Sequence, residues 1–206
     1  MTDPMRKNIT NQTIGQIIPR WEWRAFAEEF PSAEQILQSL ECTRIKESEE
    51  IYIISKNSCD NCKIRNSLMD IKVLEKTGED GLELWKPVLK ASFPLSFEIV
   101  RLVLRTLHVR KPLVLRNHYT HHQFLGEIVG DHSKLRMLDI KKKRNGYMID
   151  GTEVEIAELQ IGQKRIKTIA AESEDAGKIK TVLKMLNIDH LANTNYIKAL
   201  KKINGF

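Results

Sequence analysis

The sequence predicts an α+β chain in which an antiparallel sheet, able to close on itself as a barrel, carries flanking helices. Three observations predict it. Segments with an apolar period of two outnumber those with a helical period. Most are joined by turn clusters of hairpin length rather than by crossover helices, which argues against a doubly wound parallel sheet. Several also carry paired charges on one face, which a closed sheet would aim into one interior.

Structure is expected from about Ile18. Arg20 to Phe26 alternates tryptophans at 21 and 23 with charges at 22 and 24, a strand with a charged face. Glu34 to Leu40 places apolar residues at 36, 37 and 40, a short helix with Ser32 as candidate N-cap. Ile51 to Ile54 and Cys62 to Arg65 read as strands around the turn-rich Ser55 to Asn61, and Met69 to Leu74 as the next strand before the turn cluster Lys76 to Gly81. Leu95 to Leu107, after Pro94, repeats apolar residues at 95, 99, 100, 103, 104 and 107, a helix. Strand-like sequence resumes over Pro112 to Tyr119 and Leu135 to Lys143, with a turn at Arg144-Asn-Gly146 or Ile149-Asp-Gly151. Glu153 to Ile161 and Arg165 to Glu174 form a further strand pair, and Gly177 to Leu186 and Asn195 to Lys202 two closing helices.

At 206 residues the chain is expected to form one domain, 18–206, after a flexible leader over 1–17. Hydrophobic residues make up 41% and charged residues 29%, a globular balance that excludes disordered and collagen-like classes. No run approaches the roughly 20 apolar residues of a membrane span. The polar start MTDPMRKNITNQT has no signal-peptide centre, so a cytoplasmic location without a membrane partner is expected. Three cysteines in such a chain predict reduced thiols. A net charge of +6 favours an anionic partner.

Alternation puts Glu22 with Arg24, Lys63 with Arg65, Asp70 with Lys72, and Glu172 with Glu174 on common faces. Like charges a few ångströms apart repel by about 4 kcal/mol at an effective dielectric near 20, so an empty basic interior is unfavourable and a bound phosphate chain would relieve it. Carboxylates in the same cavity could hold Mg²⁺ or Mn²⁺, which prefer oxygen ligands and also contact phosphates.

In order, the charged strand at Trp21 to Phe26, Lys63-Ile-Arg65, Asp70-Ile-Lys72, Trp85-Lys-Pro87, Phe93-Pro94, Ile169-Ala-Ala-Glu-Ser-Glu174 and Asn195-Tyr196 with Leu200 resemble the CYTH, or triphosphate tunnel metalloenzyme, superfamily over residues 20 to 202. The resemblance implies an eight-stranded antiparallel tunnel that grips a triphosphate or polyphosphate. It implies Arg65, Lys72 and Lys63 as phosphate ligands, with Arg24 beside them. Glu158, Glu172 and Glu174 would be catalytic and metal-binding, and Glu22 a further metal ligand. A later basic pair is Lys142 with Arg144 in one register or Lys141 with Lys143 in the other, with Arg116 a third candidate. The opening strand departs from the family's Glu-x-Glu-x-Lys, reading Glu22-Trp-Arg24-Ala-Phe26. This removes a potential metal ligand and a phosphate contact.

Three readings follow. The first is a metal-dependent phosphohydrolase of triphosphate, nucleoside triphosphate or polyphosphate, with adenylyl cyclase chemistry also represented in the family. The second is a non-catalytic phosphate-binding module. The third, an RNA-binding domain, lacks a recognised reader element to accompany Lys141 to Arg144. Against these stand plainer roles. The charges could form solvated strand faces, and Glu22 with Arg24 could be a structural ion pair. Cys59 and Cys62, half a zinc pattern completed in principle by His118, His121 and His122, read better as a hairpin turn. The Leu95 to Leu107 stripe reads as a buried face, and a homodimer could use it only if the tunnel were covered elsewhere.

Overall fold

The computed structural model describes residues 18–110 and 116–206. The leader 1–17 and part of the Pro112 to Tyr119 run therefore lie outside the described residues. In chain order the elements are β1 (Arg20–Ala27), α1 (Pro31–Gln38), β2 (Arg44–Ser55), β3 (Asn61–Arg65), β4 (Leu68–Thr77), β5 (Glu83–Ser92), β6 (Leu95–Ser96), α2 (Phe97–Thr106) and β7 (His118–Tyr119). There follow α3 (His121–Gln123, running into a π-helical segment Phe124–Gly130), β8 (Leu135–Ile149), β9 (Thr152–Ile161), β10 (Lys164–Ser173), α4 (Ala176–Met185) and α5 (Tyr196–Asn204).

Eight strands close a barrel in the order β1-β10-β9-β8-β2-β3-β4-β5, with β5 returning to β1, and every pairing is antiparallel. Closure leaves no free edge among these strands. Of the two turn candidates, Asp150-Gly151 joins β8 to β9. Both residues have positive φ, 46° and 73°, which fits a two-residue turn whose twist matches the strands. Gly146 instead lies inside β8, opposite Arg44.

Helices cover the barrel's outer wall in two places. The apolar stripe of α2 (Val100, Val103, Leu104) and Phe124 with Ile128 pack on Cys62, Ile64, Met69 and Ile71, so that stripe is interior. Trp23, Ile169 and Ala171 pack under α1 and α4 through Leu37, Ile179 and Val182. A third cluster lies inside the barrel, where Tyr196, Ile197 and Leu200 of α5 meet Tyr52, Ile54, Leu138, Ile140 and Leu159. Each such side chain contributes about 1.5–3 kcal/mol on burial, so α5 is held as a plug filling one end. Its start is fixed by Asn195, whose side chain caps the helix at Lys198 N while its amide donates to buried Glu83 at 2.9 and 3.0 Å.

Several boundaries differ from the sequence reading. Ser32 does not cap α1: Phe30 occupies the cap position without a side-chain bond, and Glu34 Oε1 accepts from Phe30 N instead. The helix expected from Leu95 begins at Phe97, because Leu95 and Ser96 pair with β7 and Ser96 caps α2. Strand β2 starts at Arg44, and β5 and the α3 region went unassigned, their apolar residues lacking a clean period.

Candidate functional site

Residues opposite one another in antiparallel strands share a face, so the register decides which charges meet. Across β1, β10 and β9, Glu22 stands opposite Glu172, which stands opposite Glu153. Across β8 and β2, Lys142 faces Ser48 and Ile140 faces Glu50, while Glu50 and Tyr52 face Arg65 and Lys63 of β3. Lys63 in turn opposes Asp70, and Asn61 opposes Lys72 on β4. These side chains line the interior beyond the α5 plug. Lys72 and Arg65 retain 32% and 26% exposure there, so the unplugged end is open to solvent.

Glu50 is the centre of this interior. It is 1% exposed and stands 2.9 Å from Arg144, 3.0 Å from Lys142, 3.4 Å from Lys63 and 3.7 Å from Arg65. Burial works to raise its carboxyl, but Lys63, Lys142 and Arg144 outweigh it and hold it far below the usual carboxylate range. Lys142 also donates to the Tyr52 hydroxyl at 2.8 Å and sits 3.9 Å over the Tyr196 ring. Burial, then the neighbouring Lys63, pushes Lys142 well below an ordinary lysine. Lys63 is lowered too, by burial and Arg65 against the pull of Glu50. Arg144 also donates to Ser48, while its buried Nε and the Tyr196 hydroxyl make no hydrogen bond.

A second group lies toward the mouth. Arg24 is pinned by Glu22 at 2.9 Å, by Thr168 Oγ1 at 3.3 Å and by the Tyr196 ring 4.4 Å below its guanidinium. Lys72 stands 3.6 Å from Glu172. Burial, then the charge of Glu22, raises the Glu172 carboxyl. Burial also opposes ionisation of Glu22, but Arg24 and Lys72 keep it below its ordinary value. The two acids thus sit side by side with their proton affinities pushed apart, Glu172 the higher.

Of the residues singled out in the sequence, Glu22, Arg24, Lys63, Arg65, Lys72, Lys142, Arg144 and Glu172 come together in this interior. Three do not. Glu174 is exposed at the rim, just past the end of β10. Glu158 opposes Lys143 and Lys167 on the outer wall, because its register is odd relative to the inward Ala157. Arg116 lies away from the barrel interior, paired with Glu127 at 2.9 Å. Lys141 and Lys143 point outward to Glu49 and Glu47 at 3.1 and 3.3 Å.

Sequence reasoning missed Glu50, Glu155 and Glu83. Glu50 is in phase with Tyr52 and Ser48, and Glu155 with Ala157 and Leu159, but the expected strand over 51 to 54 stopped short of the first. The zinc pattern does not assemble: Cys62 is buried in the outer apolar layer, 3.7 Å from Met69 sulfur, while Cys59 is exposed. Nor do the carboxylates form a cage for a divalent ion. Among the described residues no group of three or more His, Cys, Asp or Glu side chains is placed to hold a metal. No described helix is long and apolar enough to cross a membrane.

Neither a family model nor a curated protein matches the sequence. Solved structures do. A Hippeastrum protein, HpAC1, named as a candidate adenylyl cyclase with a dominant triphosphatase activity, is 13% identical and superposes with a TM-score of 0.51 over 90% of this chain and 96% of its own. A Bacillus halodurans protein, named as a candidate adenylate cyclase, is 12% identical with a TM-score of 0.50 over 88% and 98%. Taken with the closed eight-stranded antiparallel barrel, these likenesses show that the chain shares the fold of these two proteins, the tunnel that the resemblance to the CYTH superfamily implied.

Proposed function

We propose that the barrel interior is a binding chamber for a short phosphate chain: inorganic triphosphate, the tail of a nucleoside triphosphate, or the end of a polyphosphate. The carrying observation is the convergence of Arg24, Lys63, Arg65, Lys72, Lys142 and Arg144, from four strands far apart in sequence, on one enclosed space. Glu50 and, beside Arg65, Asp70 face the deeper four, and Arg144 Nε still has a proton to donate. An anion with several oxygens supplies the missing acceptors, and charge-assisted bonds of this kind are worth about 1.5–3 kcal/mol each.

Hydrolysis of the bound chain is the reading favoured by the Glu22 and Glu172 pair. Two neighbouring carboxyls whose surroundings push their proton affinities apart, Glu172 up and Glu22 down, are the arrangement that divides acid and base roles. The triphosphatase activity named for HpAC1 agrees with it. In this scheme Lys63, Arg65, Lys142 and Arg144 orient the chain, and Lys72 with Arg24 meets the charge developing nearer the mouth. The expected Mg²⁺ or Mn²⁺ finds no cage of carboxylates among the described residues, so the chain's own cations carry the charge neutralisation in this scheme.

Calorimetric titration with tripolyphosphate is expected to give saturable binding that Arg65→Ala weakens by about tenfold or more. Absence of any binding would end this reading. Phosphate release assayed alongside, with and without Mg²⁺ and Mn²⁺, separates a hydrolase from a module that binds without turnover.

A further inference from the structure

A chamber that receives its ligand as a metal complex needs carboxylates free to take the ion. Here, among the described residues, the carboxylates that line the open half each lie within 4 Å of a cation of the chain. Glu22 is 2.9 Å from Arg24, Glu50 is 2.9 Å from Arg144, and Asp70 is 3.6 Å from Arg65. Glu153 is 2.6 Å from Arg20, Glu155 is 3.5 Å from Arg44, and Glu172 is 3.6 Å from Lys72. Glu22 and Glu172, which stand opposite each other across β1 and β10, are each already engaged by a separate cation, Arg24 and Lys72. Glu174 at the rim is too exposed to complete a cage with them.

Arg24 is the decisive group. It is 5% exposed and immobilised on three sides, by Glu22, Thr168 and the Tyr196 ring. A guanidinium stays ionised at any working pH and offers a rigid planar fork of donors suited to phosphate oxygens. Placed beside Glu22, it satisfies that carboxylate and puts a permanent positive charge next to the deeper lysines. Displacing it would leave the buried Glu22 carboxylate without its partner, a strongly unfavourable change for a buried ion pair.

Resting on the phosphate-chain reading above, we propose that this chamber takes its ligand as the uncomplexed anion, with the Arg24 guanidinium standing where a divalent ion would otherwise neutralise the chain. The ligand class is a phosphate chain stripped of its metal. Mg²⁺ then competes with the protein for the ligand instead of assisting it.

The test is titration of the wild-type chain with tripolyphosphate in EDTA and again in excess Mg²⁺, together with Mn²⁺ added alone and followed by electron paramagnetic resonance. The expected result is binding in EDTA that excess Mg²⁺ weakens by about threefold or more, and no Mn²⁺ bound by the free protein. Arg24→Glu adds a third carboxylate beside Glu22 and Glu172. It is expected to lose about 100-fold in EDTA and to regain at least about tenfold with Mg²⁺. Binding that requires the metal, or a bound Mn²⁺ signal from the free chain, overturns this inference and leaves the phosphate chamber standing. Absence of binding under every condition removes both. The wild-type measurements decide the matter even if the variant does not fold.

Discussion

Strand β8 carries four consecutive basic residues, and the barrel splits them into two populations. Lys142 and Arg144 point inward with side chains 2% and 8% exposed, while Lys141 and Lys143 point outward at 66% and 70%. All four sit near a glutamate of β2. The outer pairs, with Glu49 and Glu47, are solvated contacts of the kind worth about 0–1 kcal/mol. The inner pair shares Glu50 with Lys63 and Arg65, so removing Glu50 leaves buried charge unpaired. Identical chemistry one residue apart thus serves as surface decoration or as a site, and the pleat alone decides which.

The largest way to break that contrast is at Glu50. Glu50→Gln should cost about 3 kcal/mol in urea denaturation without ligand, where Glu47→Gln should cost under about 0.5. The Glu50 contribution has a definite pH window. Its folded carboxyl is depressed, so the stabilisation is fully present above the unfolded value of about 4.3 and is lost as pH falls below it. The same variant should bind tripolyphosphate more tightly, since it removes the anion that competes for the four cations. Unchanged stability would mean that Glu50 is not the keystone of the cluster.

A smaller effect sharpens the contrast on the basic side. Lys142→Met should weaken tripolyphosphate binding by about 10- to 100-fold and Lys141→Met by no more than about twofold. Comparable losses from both would point to a diffuse surface interaction. The smallest effect is on pH. Burial depresses Lys142 and Lys63 in the free protein, and a phosphate chain would restore their protons, so the complex holds more protons than its parts. Affinity should therefore fall by a few-fold between about pH 7 and about pH 9. Titrations in buffers of different ionisation enthalpy should register proton uptake.

The same pleat explains what could be read in advance. The period-two strands at Arg20 to Phe26 and Cys62 to Arg65, with hairpin-length turns, were enough for an antiparallel closed sheet, because each has one charged and one apolar face. Strand β8 gave two registers, since Lys141 to Arg144 presents a base at every position and alternation carries no information there. Glu158 was placed with Glu172 although it lies on the outer wall. Strand β9 is apolar on both faces, with Val154 and Ile156 meeting helices and Ala157 and Leu159 lining the lumen. Such a strand has no hydrophobic phase to tell its glutamates apart. Arg116 was drawn in by charge alone. Glu50 escaped notice because its burial depends on four cations from two other strands, information that no local window contains.

The plug formed by α5 gives the vessel a floor. With Tyr196, Ile197 and Leu200 seated among Tyr52, Ile54 and Leu159, whatever enters past Arg20 and Glu174 has to back out by the same route. A long polymer could not be threaded through; it could only dip its terminus in, so such a receptacle counts chain ends, not repeat units.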